Sequence, residues 1–151
     1  MRIFYFPIVL LVLVLLYSYW SGYIPVFIGL VYGIASIVSF ALYAKDKKAA
    51  KIGAWRVQEN TLHLSALLGG WPGAIIGQQQ LRHKTQKVSF RIVFAITVLL
   101  NIGLLGWLHT PNIAPKLRYY IYKTESWAVK QFGINTGTRI LLELTKFHRL
   151  Q

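Results

Sequence analysis

The sequence has no cysteine and only four acidic residues among 151. Without cysteine there is no disulfide, no thiol nucleophile and no Cys-ligated metal. Carboxylate chemistry is confined to Asp46, Glu59, Glu125 and Glu143. Charge is scarce overall, at 14% of residues, where soluble chains carry roughly 25%. Recognisable catalytic patterns are missing as well: no H-x-x-x-H or H-E-x-x-H, no nucleophile elbow, no phosphate loop and no dinucleotide fingerprint. His63 and His83 are separated by a full segment. No metal and no cofactor is therefore expected, and no enzymatic reaction is assigned.

What is present is apolar and basic. Hydrophobic residues make up 55%, and 17 Lys and Arg give a net charge of +13. Anionic lipid headgroups are the nearest partners for such a chain, with nucleic acid the other class of polyanion. The length allows one domain with a tail. We divide it into a membrane domain, 1–109, and a basic helical tail, 110–151.

Residues 3–20 are almost all apolar or aromatic and close on Tyr17-Ser18-Tyr19-Trp20. A signal peptide has a shorter apolar core and a small-residue cleavage site, so this run is expected to be a retained span. Residues 24–44 form a second uncharged run, with Pro25 in its first turn and a small face of Gly29, Gly33, Ala35 and Ser36, whose Gly29-x-x-x-Gly33 spacing suits close packing within the chain or in a dimer. Lys45, Lys47, Lys48, Lys51 and Arg56 follow it. With Arg2, they place the N-terminus and this loop in the cytoplasm, at the inner (plasma) membrane.

Residues 62–81 admit two paths. One is a kinked spanning helix with Ser65, Gly69, Gly73 and Gly77 as a small packing face. The other is a re-entrant hairpin, because Gly69 is a natural helix stop and Pro72 a natural start. Its limbs would reach mid-membrane and return, with broken backbone at Gly69, Gly70, Pro72 and Gly73 that must be shielded by protein. Charge counting does not separate the paths, and the coincident stop and start signals favour the hairpin. Residues 92–108 form a further span, in which Asn101 should hydrogen-bond a neighbouring helix. The expected fold is all-α: a polytopic membrane protein of three spanning helices and a broken hairpin, or four spans on the other path.

In the tail, Lys116, Lys123 and Lys130 recur every seven residues among Tyr119, Tyr120, Tyr122, Trp127 and Phe132. Beyond Gly133, Ile140, Leu141, Leu144 and Phe147 share one helical face. Both segments read as amphipathic helices on a membrane surface. The alternative is a helical hairpin packed on itself.

Asp46-Lys47, Arg56-x-x-Glu59, Gly69-Gly70-x-x-Gly73, Arg82-His83-Lys84-Thr85 and Phe90 form one combined pattern. It resembles a small uncharacterised bacterial membrane family, a domain of unknown function, over about residues 35–108. Some members of that family carry a cold-shock domain ahead of the membrane part. None stands in this sequence, so nucleic-acid binding is not carried over, and the resemblance implies no established activity.

On the hairpin path, Asp46, Arg56, Glu59, Arg82, His83 and Lys84 meet at one membrane face. There Asp46, Lys47, Arg56 and Glu59 would form a structural charge network, with Arg56 or Arg82 paired to Glu59. Arg82 and Lys84 would hold a phosphate, Thr85 would add a hydroxyl, and His83 could exchange a proton near neutral pH. Three functions follow: a binding or scaffold protein for anionic headgroups or an acidic protein partner, an enzyme on a lipid headgroup using His83 or Glu59, or a small channel or transporter.

Overall fold

The computed structural model describes residues 5–81 and 87–148. Among these residues every regular element is helical: α1 (Phe6–Trp20), α2 (Val26–Ile52), α3 (Glu59–Ser65), a wide-turn segment (Ala66–Gly70), α4 (Trp71–Leu81), α5 (Val88–Leu108), α6 (Ala114–Phe132) and α7 (Thr136–Thr145). They divide into two compact units, one drawn from 1–11 and 30–103, the other from 12–29 and 104–151.

Two helices, α2 and α5, are long and apolar enough to cross a membrane. At 1.5 Å per residue they measure about 40 and 31 Å, against a hydrocarbon core of about 30 Å. Only 17% and 22% of their most apolar windows are buried. A core helix of a water-soluble protein would be mostly covered. Here Val31, Ile34, Ile37 and Val38 on α2, and Ile92, Ile96, Leu99 and Leu100 on α5, face outward. The third expected span differs. The apolar run of α1 yields 15 helical residues, about 22 Å. It stops at Trp20 because the chain turns through Ser21 and Gly22, the latter at φ +69°. Residues 1–4 lie outside the described part.

In the first unit, α2 is the post on which the other elements register. The backbone N–H of Val57 meets Asp46, the Ser65 hydroxyl meets Ser39 at 3.1 Å, and Gly69 lies against the Tyr32 ring. Contacts then climb back. Gly73 packs on Ser36, Gly77 on Tyr43, and the Gln78 amide donates to the Tyr43 hydroxyl at 3.1 Å. The chain thus descends along α2 through α3 and ascends through α4. Its reversal falls at Leu68 and Gly69, whose backbones are non-helical, with Gly69 at φ +96°. Glycine reaches that region without the steric cost other residues bear. Pro72 sits in the first turn of α4, where its missing N–H leaves no hydrogen bond unmade.

Small residues let the returning limb lie flat. A Cβ on Gly70 would stand 2.5 Å from the carbonyl oxygens of Ala35 and Ser65, and one on Gly73 would overlap the Ser36 carbonyl. The glycines of the other motif do no such packing: positions 29 and 33 have nothing within 4 Å of an added Cβ. Of the small face expected on this helix, Ala35 and Ser36 make the intrachain contact, joined by Ser39.

Asn101 of α5 secures the reversal. Its Nδ2 donates to the carbonyls of Leu67 (3.0 Å) and Thr97 (2.9 Å), and its Oδ1 accepts from the Tyr32 hydroxyl (3.1 Å). The side chain thereby satisfies backbone at the irregular turn, as broken helices away from water require. Tyr43, Leu62, Ala66, Trp71, Ala74 and Phe90 are buried around the limbs.

In the second unit, His109 links the ends of α1 and α5. Its Nε2 lies 2.7 Å from the Ser18 hydroxyl, its Nδ1 lies 2.7 Å from the Leu105 carbonyl, and its ring tilts against Tyr23. α6 ends at Gly133, in the left-handed region at φ +68°. α7 opens on a capping box between Asn135 and Thr138. The two helices pack on each other, the Thr145 hydroxyl donating to Glu125, and Leu142 and Val129 border one pocket. The two tail helices therefore form a hairpin packed on itself.

A clasped, cation-rich end of the first unit

α2 carries Lys45, Asp46, Lys47, Lys48 and Lys51 in its last turns and ends at Ile52. Gly53, at φ +67°, stops the helix, and residues 54–58 run on as irregular chain. Asp46 is completely buried. Arg56 reaches it with two nitrogens, Nε to Oδ1 at 3.3 Å and Nη2 to Oδ2 at 3.4 Å, and the Val57 N–H donates to Oδ1 at 3.1 Å. One carboxylate therefore ties the loop back onto the helix it has just left. A buried ionised carboxylate is tolerated because donors surround it, and here loop backbone and side chain both contribute.

Glu59 opens α3, where a negative charge meets the positive end of the helix dipole. The cap residue is Gln58, which makes no side-chain capping bond. Lys87 donates to Glu59 at 2.8 Å. Of the two partners expected for Glu59, Arg56 has its guanidinium turned to Asp46, and Arg82 lies outside the described residues. Arg56 lies in irregular chain, so its three-residue spacing from Glu59 puts the two on no common helical face. The Lys87 contact fastens the entry to α5 against the entry to α3. Phe90 reinforces it, its ring 4.3 Å from that of His63 and edge-on to Tyr43.

Asp46, Arg56 and Glu59 thus come together with Lys87 at one end of the first unit. Lys47 is half-buried there and makes no ion pair among the described residues. Arg82, His83, Lys84 and Thr85 lie outside the described residues. Lys87 and Val57 were missed from the sequence. A signal for Lys87 existed: if residues 62–81 descend and return, the cations that follow in sequence are expected back at the level of residue 59, and Lys87 is one of them. No group of His, Asp and Glu that could hold a metal ion occurs among the described residues.

The fold and this end define a class: a helical chain with two membrane-length helices and a broken helical hairpin clasped by ion pairs. Residues 36–90 match the model of the family described as "Protein of unknown function (DUF1294)". The resemblance expected from the motifs is thus to an uncharacterised family, and the match runs from the middle of α2 through the hairpin to Phe90. A similar protein is the "Uncharacterized protein YsdA" of Bacillus subtilis (strain 168), 29% identical over 76 residues, which cover half of this chain and 85% of the relative. No solved structure matches the chain significantly.

Proposed function

We propose that this chain is an integral membrane protein whose hairpin is re-entrant, and that it binds anionic headgroups at the cytoplasmic face where the hairpin's two limbs begin and end. The supporting observation is the register of the hairpin on α2: residue 57 lies at Asp46, residue 69 at Tyr32, and residue 78 back at Tyr43. Both limbs open at the same end of a membrane-length helix. Lys45, Lys48, Lys51, Lys87 and Arg91 are exposed at that end. The two carboxylates in this half of the chain are engaged by Arg56 and Lys87. The remaining cations have no acidic residue nearby in sequence to neutralise them, and each gains about 1 kcal/mol near an anionic surface.

Arg82, His83, Lys84 and Thr85 belong to this site in the proposal because they join the returning limb to Lys87. Arg82 supplies a planar fork that lysine cannot copy. The test compares defined lipids by native mass spectrometry of the purified protein. Arg82→Lys keeps the charge, and should weaken binding of a phosphomonoester headgroup more than that of a singly charged diester lipid. Equal loss for both lipids, or no loss for either, would reduce the cluster to a topological anchor.

A further inference from the structure

α6 has two unlike faces. Inward lie Ala128, which is buried, Val129, which borders a pocket with Leu142 of α7, and Glu125, which accepts from the Thr145 hydroxyl. The only acid of the helix is therefore turned toward α7. Outward lie Lys116, Tyr119, Tyr120, Lys123, Trp127 and Lys130, all exposed. The three lysines are seven residues apart, so they drift by only about 20° per step around the helix. The rings fall between them at four-residue spacing, which makes Tyr119 a neighbour of Lys123, and Lys123 a neighbour of Trp127. Tyr119, Tyr120 and Trp127 are 60%, 63% and 59% exposed, more than a helix packed only on α7 would show if its aromatic residues served the fold.

We infer that this outward face of α6 docks on the surface of an anionic bilayer. Phenol and indole rings are apolar bodies with one polar edge and settle at headgroup depth, while lysine stems run along the apolar boundary with their charges in the phosphate layer. The position of the helix agrees with this. Only five residues separate it from the last apolar turn of α5. Arg118 donates to the Gly22 carbonyl, which holds the first turns of α6 against the turn that follows α1. The face therefore starts where two apolar helices end. An acidic protein partner would meet the lysines equally well, but has no need of a row of rings set between them. This surface is separate from the headgroup site proposed above.

The absence of cysteine makes the test direct. The full chain is reconstituted in phosphatidylcholine vesicles with and without phosphatidylglycerol, carrying one nitroxide at Ser126→Cys, beside the face, or at Arg139→Cys on α7. Collision with a water-soluble nickel chelate should fall at 126 and not at 139 when phosphatidylglycerol is present, and should recover in high salt. Lys123→Gln should lower the docked-to-free ratio about fivefold, and replacing Lys116, Lys123 and Lys130 together about a hundredfold. Equal exposure of 126 in both lipids overturns the inference. So does protection that persists in detergent without lipid, which would mean a protein-covered face, or protection that appears only on adding an oligonucleotide.

Discussion

Asp46 and Glu59 are both paired carboxylates, yet they carry different weight. Asp46 is fully buried and accepts from Arg56 and from the Val57 backbone. Glu59 is about one-third exposed and Lys87 more than half. Hydrogen bonds to a buried charged group contribute about 1.5–3 kcal/mol, whereas exposed ion pairs contribute about 0–1 kcal/mol. Asp46→Asn should therefore lower stability by about 2 kcal/mol and free the 53–58 loop, while Lys87→Gln, which removes the exposed pair with Glu59, should change it by less than about 1 kcal/mol. Thermal melting of the two variants in detergent, followed by circular dichroism, checks the order; a Lys87 effect as large as that of Asp46 would contradict it. The sequence could mark these residues as a charge network but not apportion the pairs. Which cation meets Asp46 depends on Gly53 ending α2 and swinging Arg56 back, and the pattern of charges does not encode that turn.

At the scale of elements, the hairpin was legible because its signals are local. Gly69 stops one helix and Pro72 admits the next, and the observed break falls there. Asn101 was legible as a cross-helix hydrogen bond because a lone amide in an apolar run needs partners. The choice between two glycine motifs was not legible. Gly29 and Gly33 have the same spacing as Gly69, Gly73 and Gly77, and only the three-dimensional path shows which set meets another backbone. The structure makes the difference testable. Gly73→Ala should force α4 away from Ser36 and cost at least the roughly 1–3 kcal/mol of an overpacked core. Gly33→Ala meets open space and should be neutral, or stabilising by roughly 0.5–1 kcal/mol through helix propensity. Melting temperatures of the pair decide this, and equal loss in both would show that the returning limb does not lie on α2 as described. The tail was half legible: two-faced helices were visible in the sequence, but Ile140, assigned to the apolar face of α7, is exposed, and it is Thr145 that bonds to α6.

For the whole molecule, the account rests on a chain that goes down along α2 and comes back. Composition announced apolar helices, and two have membrane length. The first run closes at the turn of Ser21 and Gly22 with 15 helical residues among those described. The resemblance to an uncharacterised family supplies no reaction, so the path of the chain is the property from which the binding proposal follows. It is tested most directly by single cysteines at Lys51 and Gln80, introduced separately into the cysteine-free chain and probed in sealed vesicles of known orientation with an impermeant thiol reagent. Lys51 and Gln80 are exposed, one at the end of α2 and the other at the end of the returning limb. The account predicts that both are labelled from the same side of the membrane. Labelling of the two from opposite sides would mean that residues 59–81 cross the bilayer, and would contradict it.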